Sequence, residues 1–444
     1  STDYLSEQLG TDRFRGSTNL RKIVESDEEW EIDSEVDCNQ EVERIVRDRL
    51  LGTIFAISSQ IVEEGICSME DVDRGAKVGL RWSLGPFEIA NEIGVSLARD
   101  LAIEYSKLAK ITLPDWYVEN DNPFIFSLVD VENKDGIATV RLNRPEAMNA
   151  LNVELVRQLG LEIEELNLNE EVETIVLEGA GKAFVAGADV KFFVDKIRED
   201  SFDEIYEFTA NGHKLLNAIE SSPKTTIALT TGLALGGGLE LALSCDYRIG
   251  TDRTQFRFPE TSIGIYPGLG GTQRTVRICG IEAARYSVLA GNFINSKEAY
   301  DFGLITHLVP HSEITDLIGK LSSTGKPIDK FPGKSPDPSS RTSSFAKKFY
   351  NDSNIEAILS GIAPEGFDLA DPIVSRQMKL ISRAAPLALS TARDLLDEAV
   401  VTGDNLLDGL QCELDSLEEI FNTQDALEGL SALTEGRRPN YVGS

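Results

Sequence analysis

The spacing of apolar residues along the chain changes character near residue 125. From Glu41 to Glu64 the apolar positions Val42, Val46, Leu50, Ile54, Ile57 and Ile61 recur every three or four residues, which gathers them on one face of a long helix. Gly65 ends that helix. Ser68, with Asp71 three positions on, caps a second helix that Gly79 closes. Gly85-Pro86-Phe87-Glu88 opens a short third helix that stops near Gly94, and a fourth runs from about Val95 to Lys110. Residues 41–112 thus read as a small all-helical domain behind an acidic lead-in, 1–40. Residues 113–124 carry Pro114, Pro123 and Asn120-Asp121-Asn122 and read as a linker.

From there to the end, 125–444, the pattern is mixed. Phe126–Val131 and Ile137–Leu142 read as strands around a Lys134-Asp135-Gly136 turn. A helix over 151–166, a strand at Thr174–Leu177 and continued alternation to about residue 318 predict an α/β domain. Residues 322–344 are rich in Ser, Pro, Gly and Lys and read as an exposed insertion, within a wider interruption at about 320–375. Three helices, about 372–400, 404–421 and 423–434, close the chain.

Charge narrows the partners. The net charge of −31 opposes nucleic acid and anionic membrane surfaces as general partners, so an anionic substrate needs a local basic patch. Five dispersed cysteines form no CxxC and no metal-ligand spacing with His. They read as reduced thiols, which predicts a cytoplasmic chain without a bound metal. No apolar run approaches membrane length.

Chemistry concentrates at Gly236-Gly237-Gly238-Leu239-Glu240. The β-branched run Thr225–Leu229 leads in and the helix formers Leu239–Leu243 lead out, so the glycines sit at a strand-to-helix turn. The first N–H groups of a helix lack internal partners, and glycine lets a ligand approach them. Gly237 and Glu240 lie on one helical face, about 4.5 Å apart along the axis. A tight packing turn and an anion-stabilising N–H beside a carboxylate fit these residues about equally well.

Several blocks in order resolve that choice. Leu142-Asn143-Arg144-Pro145 with Asn149-Ala150-Leu151, then Ala183 to Lys191, the glycine turn, Phe258-Pro259-Glu260, and Pro267 to Arg274 are similar to the crotonase (enoyl-CoA hydratase/isomerase) family. Asp425-Ala426-Leu427-Glu428-Gly429 and Glu435 to Pro439 resemble its C-terminal end. The resemblance implies a crotonase-type ββα spiral with a helical C-terminal region that drives trimer formation, and acyl-CoA thioester substrates. It implies that the N–H groups of Ala188 and Gly237 hold the thioester oxygen. Glu240 and Glu260 would share a catalytic water, with Glu260 giving the α-proton and Gly268 N–H beside the same water. The backbone of Ala186, Ala188, Asp189 and Val190 would line the coenzyme A site, and Lys191 and Arg144 would meet its phosphates. Two carboxylates favour a hydratase over an isomerase on the same fold. Arg257-Phe258 before Pro259 depart from the small and polar residues of many hydratases.

The helical domain resembles another family. Ile61 to Gly65, Met69 to Asp73 and Gly79 to Glu88 look like the C-terminal domain of 3-hydroxyacyl-CoA dehydrogenases. That family also needs a Rossmann domain and a His–Glu dyad, and no strand–GxGxxG–helix occurs here. No NAD site and no dehydrogenase activity are therefore expected from this chain alone. The order of the parts resembles archaeal bifunctional fusions of fatty acid metabolism separated from their N-terminal half. A scaffold role, docking a separate dehydrogenase subunit, follows as an addition. His213, His307 and His311 read as surface or packing residues, and Cys245 and Cys279 as core.

Overall fold

A computed structural model describes residues 39–327, 337 and 339–444. The acidic lead-in lies outside the described residues except for its last two positions, and so does part of the insertion. The chain divides between Phe126 and Ser127 into two units.

The first unit is helical: α1 Gln40–Glu63, α2 Met69–Gly79, α3 Pro86–Ile93, α4 Val95–Ala109 and the short α5 Asp115–Val118. Asn39 caps α1 and Ser68 caps α2 through their side chains. The turn between α2 and α3 is tied by Asp73, whose carboxylate accepts the N–H groups of Phe87 and Glu88, each at 2.9 Å. These are two of the N–H groups that the first turn of α3 leaves without helical partners. Burial pushes the Asp73 carboxyl up to about 6 against the pull of those two bonds.

Residues 113–124, expected as a linker, belong to the core of this unit. Leu113, Tyr117 and Phe124 are buried there with Phe55 and Phe87. Phe124 meets Phe87 edge-on at 5.0 Å and stacks on Tyr117 at 5.8 Å, while its backbone N–H and C=O are both held by Asn91. Two prolines and polar neighbours disguised three spaced apolar anchors. Phe87 is core, whereas Trp82 is only half-buried.

The second unit is a spiral in which the chain steps between two sheets. One has the order β1-β2-β3-β5-β7-β10 and the other β4-β6-β8-β9. The strands are β1 Val129–Lys134, β2 Ile137–Leu142, β3 Thr174–Gly179, β4 Ala183–Ala186, β5 Thr225–Thr230, β6 Leu233–Leu235, β7 Tyr247–Gly250, β8 Gln255–Arg257, β9 Ile294–Asn295 and β10 His307–Leu308. Each turn places one strand in the large sheet and the next in the small one: β3 then β4, β5 then β6, β7 then β8. Only the end pairs β1/β2 and β8/β9 are antiparallel. A helix after most pairs closes the turn: α6 Val153–Leu168, α7 Val190–Arg198, α8 Phe202–Glu220 and α9 Gly237–Leu243. β5 is buried along its whole length, as a central parallel strand covered on both faces must be. This is the ββα spiral with a helical C-terminal region that the family resemblance implies. β6 intervenes between the β-branched run and the glycine turn, so the turn leaves the small sheet rather than the large one.

The remaining helices are α10 Gly271–Cys279, α11 Ile281–Val288, α12 Ser296–Phe302, α13 Ile314–Thr324, α14 Arg341–Phe349, α15 Ile355–Leu359, α16 Pro372–Ile381, α17 Pro386–Thr402, α18 Leu406–Asp415, α19 Leu417–Phe421 and α20 Gln424–Thr434. Beyond the stretch 322–344, residues 346–358 of the wider interruption supply core positions. Ala346, Phe349, Tyr350, Ile355 and Ile358 are buried in the main core, and Arg285 ties this segment down through Tyr350 O and Asp352. The first two of the three closing helices are each broken, before Pro386 and at Ser416. Pro386 is tolerated where it stands because it opens a helix.

The three tryptophans, Trp30, Trp82 and Trp116, all precede residue 127, so tryptophan fluorescence reports on the first unit alone. Phe124→Ala is expected to lower that unit's stability by about 3 kcal/mol in urea titrations of the full chain read by fluorescence. A change under about 0.5 kcal/mol would restore the linker reading.

Candidate active site

The site is assembled from the β4–α7 loop, the β6–α9 turn, the segment after β8 and the loop leading into α10. Gly236 makes the β6–α9 turn with φ 46° and ψ −122°, a backbone conformation that glycine alone adopts readily. A Cβ there would also stand 2.2 Å from Glu260 Oε1. Its N–H is held by Arg257 O at 2.9 Å, so the turn is fixed against β8.

The next residue, Gly237, opens α9, and its N–H belongs to the set that helical bonding leaves unpaired. Across from it, Leu151 and Ala188 form an isolated parallel bridge. Leu151 N–H donates to Gly187 O at 2.9 Å, and Asp189 N–H donates to Leu151 O at 2.8 Å. In such a bridge the middle residue turns its own N–H away from the bridging strand. A Cβ on Gly237 would lie 3.7 Å from Ala188 N. Ala188 and Gly237, from different sheet-to-helix turns, therefore border one cavity.

That cavity, of about 280 Å³, is walled by Ala186, Ala188, Val190, Gly236, Gly237, Gly268 and both glutamates, with Phe193, Phe208, Leu417, Phe421, Leu430 and Leu433 completing an apolar face. Phe193 stacks on Phe421 at 5.3 Å, so the C-terminal helices close the same pocket that the glycine turn opens.

Glu240 lies one helical turn beyond Gly237 and is 1% exposed. Its Oε1 accepts the N–H groups of Leu269 and Gly271, each at 2.7 Å. Glu260, in the 3-10 turn Glu260–Ile263, is 7% exposed, and its Oε2 makes no hydrogen bond among the described residues. Burial pushes both carboxyls up, Glu260 to about 8 with Arg257 pulling it down. For Glu240 the charges of Glu260 and Glu413 add to burial, while the two N–H bonds oppose them.

The basic residues part ways. Arg144 spends its guanidinium inside the chain, donating to Ala150 O at 3.1 Å and pairing with Asp189 at 2.9 Å; it braces the loop that carries Ala188. Lys191 is exposed at the start of α7 and makes no ion pair or hydrogen bond among the described residues. Arg257 reaches the cavity wall, donates to Gly291 O at 2.9 Å and lies 4.8 Å over the Phe293 ring.

Of two buried groups in this region, His213 reads from the sequence only as a surface or packing residue and Glu413 is not marked. His213 is buried, its Nε2 2.7 Å from Gly268 O and 3.2 Å from Glu413 Oε2. Glu413 is fully buried beneath the α10 loop. No sequence signal marks either, beyond a carboxylate among the apolar positions of α18. The cysteines behaved as expected: Cys245 and Cys279 are buried, and burial raises both thiols. Among the described residues no group of three or more His, Cys, Asp or Glu could hold a metal ion, and no helix is long and apolar enough to cross a membrane.

Comparison with known proteins gives two family matches, to enoyl-CoA hydratase/isomerase over residues 137–442 and to the 3-hydroxyacyl-CoA dehydrogenase C-terminal domain over residues 46–114. An enoyl-CoA hydratase/isomerase of Bacillus subtilis is 31% identical over 318 residues, which is 71% of this chain and 98% of that one. A crotonyl-CoA hydratase of Syntrophomonas wolfei is 38% identical over 193 residues, 43% of this chain and 73% of its own. Among solved structures, an enoyl-CoA hydratase from Rhodobacter sphaeroides superposes with a TM-score of 0.61 at 24% identity, over 72% of this chain and 93% of that one. It carries the same fold.

The raised carboxyl of Glu260 sets a stability test. Unfolded, the acid ionises near 4.5; folded, it holds its proton to about 8. Between these values the unfolded chain binds fewer protons, so the folded state weakens as pH rises through that window. Glu260→Gln, which cannot ionise, is expected to raise the thermal midpoint relative to the parent at about pH 8 and to change it little at about pH 4.5. Equal shifts at both pH values would mean that Glu260 is not held protonated.

Proposed function

The chain belongs to the enoyl-CoA hydratase/isomerase family, and on that premise we propose that this hydro-lyase adds water to a short- or medium-chain trans-2-enoyl-CoA to give the 3-hydroxyacyl-CoA. The observation that carries the reading is that two buried carboxylates border, with Ala188 and Gly237, a single apolar cavity.

The acyl chain lies against the apolar face, and the thioester oxygen sits between the N–H groups of Ala188 and Gly237. As water adds to Cβ, electrons move through the conjugated system onto that oxygen. Donors fixed in a dry site stabilise such a charge by roughly 3–4 kcal/mol each in comparable acyl-transfer enzymes. Glu240 takes a proton from the water as its oxygen bonds Cβ. Glu260, entering as the acid, delivers its proton to Cα. One proton is thus lost from water and one gained by carbon, and passage of the proton from Glu240 to Glu260 restores the start. The division of labour follows from hydrogen bonding: two N–H donors favour the carboxylate form of Glu240, whereas Glu260 Oε2 has no donor. Gly268, in the wall beside both acids, is assigned to the water.

The backbone of Ala186, Asp189 and Val190 lines the coenzyme A path in this reading. Lys191 supplies the local positive charge that a −31 chain needs for phosphates, while Arg144 acts through the Asp189 brace. An isomerase, moving a proton between carbons, leaves one of the two acids without a task. The match of residues 46–114 to a dehydrogenase C-terminal domain supports docking of a separate dinucleotide-binding dehydrogenase, and the helical C-terminal region supports a trimer-based homo-oligomer.

With crotonyl-CoA, Glu240→Gln and Glu260→Gln are each expected to lower kcat by about 10²–10⁴-fold, followed as loss of enoyl absorbance. Full activity in the double variant would overturn the assignment. The kcat of the parent is expected to fall on the alkaline side near pH 8, where Glu260 loses its proton; a flat profile well beyond that pH would remove Glu260 as the acid. NADH should form from 3-hydroxybutyryl-CoA and NAD only when a dehydrogenase subunit is added; NADH from this chain alone would contradict the docking role.

A further inference from the structure

Glu413 takes no part in the chemistry above and does not line the cavity, yet it is a carboxylate with no exposed surface. Burying one is costly unless its oxygens are well bonded. Its Oε2 accepts Gly270 N–H at 2.7 Å and its Oε1 accepts the Thr272 hydroxyl. His213 Nε2 approaches the same Oε2 at 3.2 Å and Gly268 O at 2.7 Å. Both neighbours of that nitrogen are acceptors, so Nε2 carries the hydrogen. The backbone C=O of Glu413 also accepts the Tyr266 hydroxyl.

These contacts fall on the loop that serves Glu240. Leu269, Gly270 and Gly271 present three successive N–H groups. The first and third go to Glu240 and the middle one to Glu413. The loop is therefore suspended between two carboxylates on opposite sides. Gly270 makes the alternation possible with φ 93°, and a Cβ there would stand 2.0 Å from Arg274 Nη1. Without Glu413, the Gly270 N–H is left buried and unpaired, and the loop's cheapest remedy is to rotate that peptide. Rotation disturbs the neighbouring N–H groups that hold Glu240, and it shifts Gly268, whose carbonyl His213 also grips.

Resting on the hydratase reading above, we propose that Glu413, with His213 and Thr272, is a positioning residue that fixes the 268–271 loop and so the orientation of the Glu240 carboxylate and its water. The titratable and charged groups facing Glu413 are His213 on α8, Glu240 on α9, Tyr266 in the loop and Arg277 on α10.

The test uses the full chain with crotonyl-CoA. The hydratase reading is judged first, by the parent and by Glu240→Gln; an inactive parent sinks that reading and says so separately. In an active background, Glu413→Gln keeps the shape but loses the charge and one acceptor. Well below its melting temperature, kcat is expected to fall about 10–100-fold with KM within about twofold. The acid limb of the kcat profile, where Glu240 gains its proton, is expected to move to lower pH, because a negative charge beside Glu240 has gone. A kcat within about twofold of the parent, or a loss that disappears once the folded fraction is accounted for, overturns the proposal. Should Glu413→Gln not fold, Thr272→Val keeps the carboxylate and removes one donor. It is expected to lower kcat about 3–10-fold at unchanged KM, and parental kcat in that variant overturns the proposal equally.

Discussion

Everything at the centre of the second unit hangs on two hydrogen bonds, from Leu269 N–H and Gly271 N–H to Glu240 Oε1. They join α9 to the loop before α10, and the loop carries Gly268 into the cavity wall. A buried carboxylate normally sheds its charge or finds partners. Here it has both pressures at once: burial and two acidic neighbours push the proton on, and two short N–H bonds hold it off. That balance is how a glutamate is accommodated in a buried, largely apolar pocket.

The spiral explains why the partners meet. Each turn of the chain delivers a strand of the small sheet, and the ends of β4, β6 and β8 lie side by side. Ala188, Gly237 and Glu260 follow those three strands in turn. Backbone geometry sets both positions: the Leu151 bridge fixes Ala188, and Gly236, with φ 46°, places Gly237 at the start of α9. Side chains then brace the frame from outside, Arg144 on Asp189 behind the first turn and Glu413 beneath the loop. The C-terminal helices, through Phe421 and Leu430, close the apolar side.

Much of this was legible before folding. Helix caps at Ser68 and Gly85-Pro86 gave α2 and α3 nearly to the residue, because caps are local contacts. The glycine turn, Glu240 and Glu260 stood out by motif and spacing. Less legible were segments whose burial depends on distant partners. Residues 113–124 carry linker composition, yet Tyr117 and Phe124 complete an aromatic core. Residues 341–358 follow a Ser- and Pro-rich stretch, yet Phe349 and Tyr350 fill the main one. Arg144, a contact for the coenzyme A phosphates by resemblance, braces a loop in the fold.

The sequence by itself determined the two-part organisation, the family and the pair of acids, since each is written in periodicity, capping or an ordered set of short motifs. Only the tertiary structure decided that Glu413 lies against Gly270, 143 positions earlier in the chain, and that His213 faces Gly268. The physical reason is the same in both cases. A lone acid or histidine in a helix has no signature of its own, and its value as a hydrogen-bond partner appears only once the chain closes around it and removes water.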